Sequence, residues 1–341
     1  MSLIFLRIIR IYYCLRYHYA LIGPFTLHEN EMRHSLKVAF AASIISLAIS
    51  VMAQADEPLL GFLYTTDLLP KGGMEVEQWF TWRHKKAGGI FDQVEGQSEF
   101  SYGVSETLQV SGYLIYDWMQ AYHNGPDGTT TPSEQYSAYF PNPDSHFNAF
   151  LFQGVAGEVL WRVASPYTDP VGVALYFEPI IGPHFRELEV KGIFQKNFAD
   201  DRLVVVANVT WAPEIRPLPG DPYADPTDPA YKPNTNIETD VNFGLGASYR
   251  FAPNWSVGWE FQNEREINDW NIFDHSQWMG NGFYTGPTLH YADKHFFATL
   301  TWWQQLPWAK NYMDPTMIVN HYDDDVDFEH TRVRFKIGYY F

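Results

Sequence analysis

Cysteine is almost missing from this sequence: Cys14 is the only one in 341 residues, and it lies upstream of a signal-peptide cleavage motif. The chain beyond that motif has no thiol for a disulfide, a thiolate zinc site or a cysteine nucleophile, and no lipobox cysteine of the lipoprotein kind. Long apolar runs are missing too. Nothing after residue 55 approaches the roughly 18 consecutive apolar residues of a spanning helix, and the mean hydropathy of −0.27 excludes a helical membrane bundle. Basic charge is scarce, with 23 Lys and Arg against 40 Asp and Glu. Residues 56–341 hold 18 basic and 38 acidic residues, a net charge of −20. No basic footprint for a nucleic-acid partner is present, and acidity of this size attracts cations.

What is abundant is aromatic: 12 Trp, 22 Tyr and 25 Phe, 17% of the chain. That excess suits a membrane barrel, where aromatic girdles mark both interfaces. Met32 to Lys37 form a short basic region, Val38 to Val51 an apolar core and Ala53-Gln54-Ala55 a small-residue cleavage site. Residues 32–55 therefore read as a signal peptide, with Asp56 opening the mature protein. Residues 1–31 read as an upstream extension from an overlong gene start. The alternative is an N-terminal anchor around Ile4 to Ile22, interrupted by Arg7, Arg10 and Arg16.

Apolar–polar alternation dominates after residue 72. It predicts twelve strands at about 74–84, 94–104, 107–120, 150–165, 170–180, 186–197, 202–213, 238–251, 254–266, 280–291, 294–305 and 330–341. An even count suits a single-chain bacterial barrel. Turn formers fill the tight connections, and longer connections alternate with them. The expected fold is all-β: an up-and-down transmembrane β-barrel over 74–341, with short periplasmic turns, long extracellular loops and residues 56–73 as a periplasmic N-terminal segment. Strands three, eight and nine offer apolar outward faces, such as Leu108, Val110 and Leu114. Inward faces read as polar or small. A soluble sandwich would invert these faces, and alternation by itself does not separate the two.

The ending Ile337-Gly338-Tyr339-Tyr340-Phe341 resembles the C-terminal signal read by the barrel-assembly machinery, with Ile337, Tyr339 and Phe341 as its alternating hydrophobic positions. Leu69 to Trp79, Ser165 to Gly172 with Leu175 to Pro179, Gln195 to Phe198 and Ser248 to Trp255 resemble an uncharacterised family of proteobacterial outer-membrane barrels, a domain of unknown function. The chain is also weakly similar to barrels assigned to a phenol-degradation pathway. The resemblance implies a fold and an integral outer-membrane location, with membrane lipid, lipopolysaccharide and the assembly machinery as partners. It implies no activity.

The candidate functional residues are charges expected inside the barrel: Glu75, Glu77, Arg83, Glu99, Asp117, Glu158, Arg162, Glu260, Arg332, Arg334 and Lys336, with Glu178, Glu187, Glu189, Lys191, Arg250 and Glu264 as further ones. Closure of the last strand on the first should set Glu75 and Glu77 opposite Lys336 and Arg334. Such a lining reads either as a solute-selecting channel wall or as a salt-bridged interior that braces or plugs the barrel. The segment His321 to His330 is dense in carboxylates that could collect calcium or magnesium. It lacks the EF-hand glycine and spacing, so a solvated acidic loop is expected and no metal site, with divalent ions bridging the loop to lipopolysaccharide as a minor use. Pro217 to Pro233 reads as an extended external loop. His290 reads as lumen-facing without a catalytic partner, and no G-x-S-x-G, H-E-x-x-H or P-loop motif occurs. The sequence thus predicts a porin-like channel for passive passage of small solutes, without enzyme activity or cofactor. The competing reading is a non-conducting structural or surface-binding barrel, and a more remote one is an outer-membrane lipid-modifying enzyme.

Overall fold

In the computed structural model the described residues are 59–132, 142–218, 227, 232–325 and 327–341. The segments read as upstream extension and signal peptide lie outside them, as does most of the proline- and aspartate-rich stretch. The strands are β1 (Met74–His84), β2 (Ile90–Ser105), β3 (Leu108–Tyr122), β4 (Phe147–Ala164), β5 (Gly172–Ile181), β6 (Arg186–Phe198), β7 (Leu203–Leu218), β8 (Asn234–Ala252), β9 (Trp255–Ile267), β10 (Trp278–Ala292), β11 (Phe296–Gln305), β12 (Lys310–Asn311), β13 (Ile318–Val319), β14 (Tyr322–Asp323) and β15 (Thr331–Tyr340). The twelve long ones, β1 to β11 and β15, each pair antiparallel with their neighbours, and β15 pairs with both β11 and β1. The sheet is thus a closed up-and-down barrel without free edges. The short β12 pairs antiparallel with β10 beyond the end of β11, and β13 with β14 forms a small hairpin.

The alternation sorts side chains as expected. Phe100, Leu114, Phe150, Trp161, Phe243, Trp259, Trp302 and Phe335 stand exposed on the outer wall. Their strand neighbours on the other parity, such as Glu75, Gln97, Glu158 and Glu260, are buried inside. An exposed apolar wall around a buried polar interior is the arrangement of a transmembrane barrel and the inverse of a soluble sandwich.

Closure differs from the expected register by four residues. Glu75 lies opposite Tyr340, Glu77 opposite Gly338, Trp79 opposite Lys336 and Thr81 opposite Arg334. An even shift preserves which face each residue occupies, so Val333, Phe335, Ile337 and Tyr339 still share the outer side. Lys336 reaches diagonally to Glu77, with Nζ to Oε1 at 3.8 Å.

The interior is not uniformly polar. Leu160, Tyr176, Ile193, Val204, Val206 and Phe297 are buried inside the wall, and they pack against residues 59–69, expected to be a periplasmic approach to β1. Leu60 and Leu63 cluster with Val204 and Val206, Leu68 with Leu160, Tyr176 and Ile193, and Leu69 with Phe297 and Tyr340. The segment is folded into the barrel because its leucines find there the apolar surface that a free tail would leave in water.

Candidate functional site in the barrel interior

Inward side chains from four strands hold the inner segment by its backbone. The Glu260 carboxylate on β9 accepts hydrogen bonds from the backbone N–H groups of Gly61, Phe62 and Leu63 at 2.8, 2.9 and 3.1 Å. Asn208 on β7 accepts from Tyr64 N–H at 2.7 Å and donates to the Tyr64 carbonyl at 3.0 Å. Gln195 on β6 accepts from Thr66 N–H, and Gln109 on β3 from Leu69 N–H. A stretch without sheet partners has its buried amides satisfied in this way. Gly244 on β8 allows the close approach: a Cβ there would lie 2.3 Å from a Leu63 methyl. Burial raises the pKa of Asp67 above its ordinary value, although Tyr167 and Gln195 donate to the carboxylate.

Aromatic and cationic groups pack over the segment. Phe62 stacks on Trp303 with ring centroids 3.9 Å apart, and the Arg334 guanidinium lies 4.1 Å from the Phe62 ring and 4.2 Å from that of Trp79. Lys191 sits between Tyr64 and Tyr176, at 4.2 and 4.7 Å. Such contacts strengthen where water is excluded.

Three cavities stand out among the described residues. Near the end with short turns, about 40 Å³ lies among Tyr64, Glu75, Glu77, Glu99, Glu158 and Lys336. A middle chamber of about 310 Å³ has Phe62, Tyr64, Trp79, Tyr176 and Phe185 among its walls, with Asp117, Glu178, Lys191 and Arg334. A third, of about 270 Å³, lies toward the end with long connections and shares Arg83, Glu95, Glu187, Glu264 and Arg332 with the middle one. Nine carboxylates and three guanidinium groups line it. Arg83 pairs with Glu95 at 2.9 Å and with Glu329 at 3.4 Å, Arg332 with Glu264 and Glu329, and Arg216 with Glu214 and Glu238.

The residues named from sequence mostly meet in these chambers. Glu75, Glu77, Glu99, Glu158 and Lys336 surround the small cavity. Arg83, Asp117, Arg332 and Arg334 line the middle one. Glu260 instead grips the inner segment, and Arg162 sits at the short-turn rim, donating to the Glu106 carbonyl at 2.6 Å. Buried His290 faces inward with Nδ1 2.8 Å from Thr299 Oγ1. The acidic segment 321–330 is not the solvated loop expected. Asp323, Asp324, Phe328 and Glu329 are all buried. Phe328 packs with Tyr284 and Trp303, and a Cβ at Gly280 would lie 2.3 Å from its ring. Burial tends to raise the Glu329 pKa, but Arg332 and Arg83 beside it hold it below its ordinary value. Burial also lowers the pKa of Lys86, whose ammonium donates to the Asp325 carbonyl. The apolar content of Leu59 to Leu69 and the lone Phe328 among acids were the available signals for both departures.

Residues 52–341 match the model of the family described as "Family of unknown function (DUF6662)". The chain belongs to this family. No curated protein sequence matches it. Among solved structures, this family member is similar to the COG4313 outer membrane channel from Pseudomonas putida F1, at 9% identity and a TM-score of 0.51 over 80% of this chain and 97% of that one. The NanC porin follows at 10% identity and TM-score 0.42, over 78% of this chain and 98% of the other. The CymD monoaromatic hydrocarbon channel gives 10% identity and TM-score 0.33, over 79% and 88%. At these identities the likeness to the first extends to the fold alone.

Proposed function

We propose that the protein is an integral outer-membrane channel of porin type, exported by the signal peptide at 32–55, that passes small solutes and favours cations. The observation that carries this reading is the chamber toward the long connections, where carboxylates outnumber guanidinium groups three to one. A cleft lined by one sign of charge within low-dielectric walls concentrates counter-ions. The middle chamber, lined by aromatic rings and charged groups together, suits a small solute bearing an aromatic or apolar part. The similar barrel from Pseudomonas putida F1 is an outer membrane channel, which agrees with this reading. Long connections face outward, and Ile337, Tyr339 and Phe341 serve as the assembly signal. Lipopolysaccharide surrounds the outer half.

The test is single-channel recording of purified, refolded protein in planar bilayers under a salt gradient. The expected result is open steps with a reversal potential on the cation side, moved toward zero by Glu187→Gln with Asp240→Asn. Silence in every salt and voltage would favour the second reading, a non-conducting barrel, to which the inner segment gripped by Glu260 lends weight.

A further inference from the structure

Glu238 on β8, Glu266 on β9 and Asp327 in the segment before β15 bring three carboxylates together. One oxygen from each lies within 4.8 Å of the others. Glu266 is 6% exposed, and its side chain makes no hydrogen bond or ion pair with a described residue, although its carboxylate points into this group. A buried carboxylate so placed calls for a positive partner. Arg216 lies beside the group, with Nη1 3.7 Å from Glu238 Oε2, but it also serves Glu214, and Lys86, whose charge acts on Asp327, is shared with Glu329, Asp324 and Asp325. Both cations are shared with carboxylates outside the group, so the three carboxylates stay short of positive charge.

We propose that Glu238, Glu266 and Asp327 form a binding site for a divalent cation of calcium's size. A divalent ion supplies the positive charge that the shared Arg216 and Lys86 do not. The spacing fits as well: calcium takes oxygen ligands at about 2.4 Å, so opposite ligands stand up to about 4.8 Å apart. Bidentate carboxylates supply up to six oxygens, and water completes the shell. The ligands come from two adjacent strands and from the buried segment that crosses toward Arg83 and Arg332. The ion therefore ties that segment to the barrel wall. The site stands whether or not the lumen conducts.

The probe is calcium chloride, with magnesium chloride as the comparison, added to refolded full-length mature protein. Calorimetric titration should give a calcium affinity in the range of roughly 10⁻⁵ to 10⁻³ M and weaker magnesium binding. Calcium should also protect residues 320–330 from proteolysis. Glu266→Gln and Asp327→Asn should each weaken binding by about tenfold or more, because carboxylate count sets affinity. Both should retain the heat-modifiable gel mobility of the folded barrel. Glu187→Gln, a chamber carboxylate outside the triad, should weaken calcium binding far less than either triad variant. No calcium binding by the folded parent would overturn the proposal. Equal loss in Glu187→Gln would also overturn it, since that marks diffuse attraction to an acidic chamber.

Discussion

A single carboxylate, Glu260, holds three consecutive backbone amides of the inner segment and also accepts from Thr288. Glu260→Ala leaves those buried amides without an acceptor. Hydrogen bonds to charged groups contribute roughly 1.5–3 kcal/mol each, and losing them is not additive. A loss of about 3 kcal/mol is expected, read as a lower unfolding midpoint in heat-modifiability assays. Residues 59–66 should then exchange amide hydrogens faster while the wall does not. A wall that loosens equally would mean Glu260 braces the strands instead. Asp323 offers a second test. Burial, then the charge of Asp325, pushes its pKa from 3.8 up to about 7. The packed segment thus favours the protonated acid. Its contribution is complete below the unfolded value and is lost as pH rises through about 7. Residues 306–325 should lose exchange protection over that rise, after correction for intrinsic rates, and Asp323→Asn should flatten the loss. An unchanged pH profile in Asp323→Asn would reject Asp323 as the responsible group.

At the scale of elements, the last strand separates lipid-facing from inward positions residue by residue. Phe335→Arg places a cation on the exposed apolar wall, where the cost is roughly 2–4 kcal/mol near the bilayer midplane. Ile337→Arg should behave similarly. Lys336→Gln should be milder, since Lys336 is buried inside and meets Glu77 only at 3.8 Å. Refolding yield into lipid and gel mobility measure the difference; equal effects at 335, 336 and 337 would contradict the assigned faces. These faces were readable in advance because alternation and turn residues are local signals. All twelve long strands overlap the segments the pattern predicts, with ends within five residues, and β1 matches residue for residue. The pairing of β1 with β15 was misjudged by four residues, since opposite charges were set directly across when the contact is diagonal. The inner segment is legible in sequence only as an apolar stretch, Leu59 to Leu69, and its place inside the barrel is not. Its partners are remote in sequence, as with Gly61 and Glu260, 199 residues apart, and no periodicity encodes such a contact. Alternation names inward charges one at a time, but their grouping depends on strand stagger and on the inward fold of the segment before β15.

For the whole molecule, the question is whether the inner segment closes the lumen or only narrows it. Residues 59–69 bring Leu60, Leu63, Leu68 and Leu69 to apolar patches and Phe62 against Trp303, between the small cavity and the middle chamber. Two chambers of about 270 and 310 Å³ lie on one side, sharing wall residues, while only about 40 Å³ lies on the other. Tyr64 lines both the small cavity and the middle chamber, and Lys191 and Tyr176 close in beside it. Deleting residues 59–69 should join the cavities into one wide pore. The deleted protein should conduct more than the parent, with weaker ion selectivity, because charge controls passage best where the wall is close. It should also unfold at lower temperature, since the leucines no longer cover Val204, Val206 and Ile193. Parallel bilayer recordings decide the matter. A parent that conducts in small selective steps, with a deletion that conducts in large unselective ones, fits a channel narrowed by its own chain. A silent parent with a conducting deletion means the segment is a plug. If the deleted barrel folds and both proteins stay silent, the wall itself is closed and the channel reading fails.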